Sequence, residues 1–459
     1  MSVSPATLPD ASQPSVLGQV PLWRELVGHA RYLAWWALLV VPIALLVGSS
    51  VAFFLWALDL ATATRETNPA LLWALPVAGA AIGVWYQRWG GGANEGSALI
   101  MDEIHTPHMG VPTRMAPMVL VGTLVTHLFG GSAGREGTAL QMGGALASTV
   151  DRWGYTRLRG AGALRTQERR VLVQCGMAAG FGAVFGTPIT GAIFALEVLA
   201  IGRLSYAALI PCLIAALVGD WATSAWGITH TAYPVLTLAG LGIARVDPWL
   251  LTQVGLVGVA FGLASRLFAT TTHRLTALFN ARVAAPWLRP AIGGVAVIAL
   301  TALVGSTDYL GLGVTSTNPE AVTILSAFRP DGVLPWSWAL KLLFTAVTLA
   351  SGFKGGEVTP LFFIGATLGA AIAHMLQLPV PLFAALGFVA VFAGATNTPL
   401  ACAIMGIELF GGDAAAYFIT ATVIAYLFSG HAGVYSAQRL GTPKGDLGVT
   451  DDASANAVP

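Results

Sequence analysis

The sequence predicts an all-α protein that crosses a membrane many times and is built from two homologous halves. Three observations carry that expectation: an apolar composition with few charges, an alternation of long and short apolar stretches, and two sequence blocks that recur in the same order.

Of the 459 residues, 55% are hydrophobic and only 10% are charged, and the mean hydropathy is +0.72. A water-soluble domain carries about 25% charged residues. This chain has too few to solvate a surface, so lipid must be its main solvent. The formal net charge of +1 offers no electrostatic footprint for nucleic acid or for acidic protein partners. Cys175, Cys212 and Cys402 lie inside apolar stretches with no CxxC pair, which describes small buried thiols rather than a disulfide framework or a metal site. The polar stretch from Ser2 to Gln13 lacks the charged start and short apolar core of a signal peptide. Residues 1–29 are accordingly expected to be a cytoplasmic leader.

Long apolar windows run over 34–58, 71–85, 171–201, 206–226, 291–304 and 340–350, and each can be a membrane helix. Between them lie shorter windows broken by Gly or Pro, at 118–129, 139–150, 361–375, 399–409 and 415–428. Helices this short do not all cross ~30 Å of hydrocarbon, so many must be tilted, partial or re-entrant, as in transporters. The stretch 151–170 carries Arg152, Arg157, Arg159, Arg165, Arg169 and Arg170, the densest basic loop of the chain, and the positive-inside rule puts it in the cytoplasm. After Tyr435 the chain becomes small and polar, and 441–459 is expected to be a short cytoplasmic tail without a further domain.

The repeat is the most informative pattern. GREGTALQMGGA (134–145) aligns with GGEVTPLFFIGA (355–366) at an offset of 221, matching Gly134/Gly355, Glu136/Glu357, Thr138/Thr359, Leu140/Leu361, Gly144/Gly365 and Ala145/Ala366. At an offset of 211, Thr187-Pro188 matches Thr398-Pro399, Ala192-Ile193 matches Ala403-Ile404, and Glu197 matches Glu408. Two blocks in one order at nearly one distance predict two halves, 30–226 and 227–440. Whether they are parallel or inverted does not follow from this alignment alone.

The chemistry concentrates where glycine-rich loops open into apolar helices. Gly130-Gly131-Ser132-Ala133-Gly134-Arg135-Glu136-Gly137-Thr138 is one such loop, 355–360 is its counterpart with Pro360 suited to a first helical turn, and 91–97 is a third. The unpaired N–H groups and dipole of a helix start attract anions. Glu136 and Glu357 each fall at such a start within apolar sequence, where a charged carboxylate is costly and proton uptake becomes feasible near neutrality. Protonation would also remove the charge that competes with an anion for the same donors. The plainer alternative is a pair of helix-capping carboxylates without a transport role. Glu197 and Glu408, equivalent in the two halves, are expected to do a shared structural job, such as bonding a neighbouring helix end or supporting a subunit interface. His127 and His431 fit no ligand spacing, and no metal, cofactor or hydrolase motif is present.

These motifs resemble the CLC family of chloride channels and anion/proton antiporters. Gly134-Arg135-Glu136-Gly137-Thr138 is similar to that family's GREGP or GKEGP loop, 355–360 stands where its GxFxP loop stands, and Tyr435 falls at a late pore tyrosine. The resemblance covers roughly residues 30–440 and implies two inverted-topology repeats, a homodimer and one pore per subunit. Thr138 in place of proline, Glu357-Val358-Thr359 in place of the Phe-containing stretch, and the missing GSGIP sequence near 93–100 are similar to the fluoride-specific branch, the CLC-F antiporters. That resemblance implies Glu136 as gating glutamate and proton carrier, with Glu357 and Thr359 on the fluoride/proton pathway and Tyr435 lining the inner pore. It places Gly134, Arg135, Gly137, Thr138 and Val358 in the anion-binding loops and Ser97 at the anion-coordinating position. Chloride/proton exchangers of the family carry an inward-facing proton glutamate beside the position of Glu197; Val198 stands there, which leaves Glu357 as the second acidic group.

The expected function is therefore a non-enzymatic fluoride/proton antiporter of a prokaryotic inner membrane. The alternatives are a chloride/proton exchanger or chloride channel of the same fold, and, from another class, an intramembrane enzyme using Glu136 and Glu357 as acid and base. Small, strongly hydrated fluoride needs short, strong donors, and the hydroxyls of Thr359, Ser97 and Tyr435 are suitable. Selectivity against chloride follows from the branch resemblance and not from that argument.

Overall fold

The computed structural model describes residues 22–107, 110–155, 166–243 and 245–445. The expected leader up to residue 21, the tail from residue 446 and the loop positions Arg157, Arg159 and Arg165 lie outside the described residues. The first half contains α1 (Leu22–Thr67), α2 (Leu75–Trp89), α3 (Ser97–His105), α4 (Met115–Leu128), α5 (Glu136–Val150), α6 (Thr166–Phe185), α7 (Pro188–Glu197) and α8 (Leu209–Ala225). The second contains α9 (Pro248–Arg282), α10 (Leu288–Val304), α11 (Ser337–Ala350), α12 (Val358–Leu376), α13 (Val380–Thr396), α14 (Pro399–Phe410) and α15 (Ala415–Phe428). A two-residue parallel pairing of Ala200–Ile201 with Arg439–Leu440 is the one β-sheet among the described residues.

α1 shows how the bilayer acts as solvent. Its 46 residues span about 69 Å at 1.5 Å per residue, more than twice a hydrocarbon core. Leu39, Ile43, Val47, Val51, Leu55 and Leu58 recur every three or four positions and are buried, whereas Leu38, Leu45, Phe53, Trp56 and Leu60 are exposed. Both faces are apolar, and the exposed one is matched to lipid rather than water.

Two features depart from the apolar windows. The window 171–201 is not one span but α6 and α7, because Gly186 turns at φ +72° and Pro188, without an N–H, starts a new helix. α9 and α13 were not anticipated. α9 starts at a cap where Asp247 accepts from the Trp249 N–H at 3.0 Å, and its Thr, His and Arg residues dilute its hydropathy. α13 begins between Pro379 and Pro381 and is buried at every position except Pro381: it is a central helix surrounded by protein, not a lipid-facing one.

Small residues permit the closest crossings. A Cβ on Gly143 would run into the Gly176 carbonyl and one on Gly176 into that of Gly143; Gly365 and Gly387 stand in the same mutual relation. α5 on α6 and α12 on α13 thus approach backbone to backbone, as helices in lipid do when dispersion must hold them together.

The short helices α7 and α14 are tied reciprocally. Glu197, at the end of α7, accepts from the Leu400 and Ala401 N–H groups at 3.1 and 2.8 Å. Glu408, near the end of α14, accepts from the Ile189 and Thr190 N–H groups at 3.0 and 2.7 Å and from the Thr190 hydroxyl at 2.6 Å. Each carboxylate caps the start of the other helix, so the pair lies antiparallel and the orphan donors of both starts are satisfied. The expected structural job of this pair is a helix-end bond.

Candidate functional site

The glycine-rich loop before α5 is held from several sides. Gly130 turns at φ +87°, the Gly131 N–H donates to the Thr126 carbonyl at 2.8 Å, and the Ser132 N–H donates to the Thr348 hydroxyl of α11 at 3.2 Å. Ser132 and Thr345 share a hydroxyl contact of 2.9 Å. His127 sits beneath the loop with its two ring nitrogens 2.8 Å from the Thr123 carbonyl and 3.0 Å from the Ala133 carbonyl. It fastens α4 to the loop and approaches no metal-binding group among the described residues.

The two loops meet at their glycines. Gly134 donates to the Gly356 carbonyl at 2.6 Å and Gly356 donates back at 2.8 Å, forming an antiparallel bridge. A Cβ on Gly134 would stand 2.9 Å from the Gly356 carbonyl oxygen and 2.8 Å from Glu136 Oε2, so the approach requires glycine. The starts of α5 and α12 are thereby brought together.

Glu136, 1% exposed, fills the space in front of α12. Its Oε2 accepts from the Thr359 N–H and the Arg135 N–H, each at 3.1 Å, and its Oε1 accepts from the Thr359 hydroxyl. The Arg135 guanidinium lies 3.6 Å from Oε1. Val358, buried, is the first residue of α12. The carboxylate occupies the donors that a helix start would otherwise present to a free anion.

Repeat symmetry would place Glu357 on Thr138 as Glu136 lies on Thr359, and the structure breaks that symmetry. The Thr138 hydroxyl instead pairs with Thr123 of α4 at 2.6 Å, buried. Glu357, immediately before α12, has an oxygen 3.6 Å from where a Cβ on Gly137 would be, and among the described residues no other residue donates to its carboxylate. It borders a cavity of ≈ 180 Å³ with Ser97, Gln141, Lys354 and Tyr435. Ser97, the first residue of α3, accepts from Gln141 Nε2 at 3.2 Å. The Tyr435 hydroxyl is buried with no hydrogen-bond partner among the described residues.

The site residues thus fall into two groups: Gly134, Arg135, Glu136, Val358 and Thr359 at the junction of the loops, and Ser97, Glu357 and Tyr435 around the cavity, with Gly137 between them. Gln141 lies five residues further along α5, about 7.5 Å, so the cavity is on the Asp151 side of Glu136. Lys354, Gln141 and Tyr86 also line it and were not singled out in the sequence. The lone lysine three positions before Glu357 was a legible signal, since an ionisable residue in apolar sequence is a functional candidate by default.

A many-helix bundle with lipid-matched faces and a helix start seated on an interior carboxylate defines a multi-pass membrane protein that transports ions. The match to the model described as "Voltage gated chloride channel" covers residues 78–430, and the chain belongs to that family. A chloride/fluoride channel protein of Pseudomonas syringae pv. tomato is 48% identical over 435 residues, 93% of this chain and 92% of its own. Among solved structures, a CLC-type fluoride/proton antiporter superposes with a TM-score of 0.81 at 33% identity, covering 89% of this chain and 98% of that one. A slow cyanobacterial chloride/proton antiporter superposes at 0.72 with 18% identity over 87% of this chain and 96% of its own, which shows the shared fold.

Proposed function

We propose that this protein is a fluoride/proton antiporter that exports fluoride from the cytoplasm in exchange for protons. The observation that carries the reading is the Glu136 carboxylate seated on the N–H and hydroxyl of Thr359. Protonation weakens that carboxylate as an acceptor and removes its charge, which frees strong donors for a small anion; deprotonation returns it to them. Anion and proton therefore exchange at one place. Glu357, bordering the cavity on the Asp151 side, supplies a second acidic group between Glu136 and the cytoplasm. The positive-inside rule applied to Arg152, Arg169 and Arg170 supports that side facing inward.

The named relatives support fluoride. The 33% identical solved structure is that of a fluoride/proton antiporter, and the 48% identical relative carries both chloride and fluoride in its name. The same reading includes two inverted repeats over 30–226 and 227–440, a homodimer, cytoplasmic ends and a prokaryotic inner membrane. Chloride transport is the second reading, favoured by the name of that same relative. Fluoride and chloride efflux from proteoliposomes under matched gradients separates the two: preference for fluoride supports the first reading, and chloride flux without fluoride preference overturns it.

A further inference from the structure

The ammonium of Lys354 stands 4.2 Å from the centroid of the Tyr86 ring, at the wall of the cavity that Ser97, Gln141, Glu357 and Tyr435 also line. Among the described residues, no carboxylate lies within ion-pair distance of it and no other residue accepts a hydrogen bond from its Nζ. The side chain has been given room: a Cβ on Gly122 of α4 would be only 3.0 Å from Lys354 Cβ and Cγ. A cation without a counter-ion at this depth is costly, and a ring face offsets only part of that cost. Its N–H groups are claimed by no hydrogen-bond acceptor among the described residues.

The neighbouring polar groups point to the same kind of guest. The Tyr435 hydroxyl has no hydrogen-bond partner among the described residues. Gln141 donates to Ser97 at 3.2 Å, which leaves the Ser97 hydroxyl hydrogen free to donate elsewhere. These donors have no acceptor among the described residues, although the carboxylates of Glu95 and Glu357 line the same cavity, and the cavity is of a size for a small, partly hydrated anion.

We propose that Lys354 is the fixed cation of an anion-holding chamber on the cytoplasmic side of Glu136, setting the affinity with which the cargo is loaded. This rests on the transport reading above and adds to it a specific charged residue. The chamber binds a monovalent halide through one charged and at least two hydroxyl donors, while the junction at Thr359 binds it through a helix start.

Two readouts on the full-length protein test the assignment. In proteoliposomes, Lys354→Met should raise the KM for internal fluoride about tenfold or more, the loss expected for a charge-assisted hydrogen bond, with a smaller change in maximal rate. Lys354→Arg, which keeps the charge, should stay close to wild type. Calorimetric titration of the detergent-solubilised protein with sodium fluoride and sodium chloride should show the same loss of affinity. Wild-type KM and wild-type titration curves in Lys354→Met would overturn the proposal. If wild type binds an anion through Lys354 but exchanges no protons for it, the chamber stands and the antiport reading falls. Should Lys354→Met elute as aggregate, Lys354→Gln carries the same expectation.

Discussion

Glu136 of α5 and Thr359 of α12 come from opposite halves of the chain, yet the carboxylate of the first is held by both the backbone N–H and the hydroxyl of the second. This contact makes the start of α12 unavailable to an anion while Glu136 is charged. In the antiport reading proposed above, competition for this one set of donors links proton and anion movement.

Removing the titratable group should therefore uncouple the two. Glu136→Gln presents an amide that carries no exchangeable charge, and proton pumping driven by a fluoride gradient should fall to background in proteoliposomes monitored with a pH dye. Unchanged proton movement in this variant would remove Glu136 from the gate.

Thr359→Val tests the other partner. It deletes the hydroxyl and keeps the backbone N–H and the side-chain shape, so the carboxylate and the anion each lose one donor. Turnover of fluoride should fall about tenfold or more, as for a lost hydrogen bond to a charged group, while the protein remains folded by thermal unfolding in detergent. A variant with wild-type turnover would show that the hydroxyl takes no part.

The reciprocal caps make a stability prediction. Glu197→Ala removes both acceptors from the Leu400 and Ala401 N–H groups, which lie at the start of a helix with no other side-chain cap. The loss should be about 1–2 kcal/mol, read as a lower unfolding midpoint in detergent. Glu408→Ala should lower it comparably at the start of α7. A midpoint that does not move in either variant would contradict the capping assignment.

Lys444 gives a pH dependence outside the membrane-spanning helices. Its ammonium lies 2.8 Å from the Tyr426 carbonyl and 2.9 Å from the Ser429 hydroxyl, with Asn397 Oδ1 and the Gly430 carbonyl as further acceptors and the Tyr426 ring 4.0 Å away. Burial pushes its amine down to about 7. Burial thus favours the neutral amine, which keeps two N–H donors for these acceptors, and the folded arrangement gains stability as pH rises from about 7 towards the ordinary lysine value of about 10.4. Amide hydrogen exchange over 431–445, corrected for intrinsic rates, should show protection that is weaker at pH 6 and grows by pH 9. Protection independent of pH, or equal in Lys444→Met, would contradict this.

Much of this architecture was visible in residue patterns, and what escaped has physical reasons. The repeat brought Glu136 to Glu357 and Glu197 to Glu408 by position, and the second pair proved symmetric in its bonds. The first did not, because Thr138 finds Thr123 on α4, a tertiary contact that no alignment of the two halves contains. The break between α6 and α7 was legible in Gly186 and Pro188 but was hidden by unbroken hydropathy. α13, flanked by prolines and buried on all sides, lacks the amphipathic periodicity that marks a surface helix. Lys354, Gln141 and Tyr86 meet only through the folding of α2, α5 and the loop before α12, so their shared cavity has no motif.

The central claim is that this chain drives fluoride uphill with protons. Purified protein in fluoride-loaded vesicles, with equal fluoride on both sides and an imposed pH gradient, tests it directly through a fluoride electrode. Net fluoride movement out of the more alkaline compartment, abolished in Glu136→Gln, is the predicted result. Fluoride that stays at equilibrium under the pH gradient, while chloride passes freely, would contradict the account.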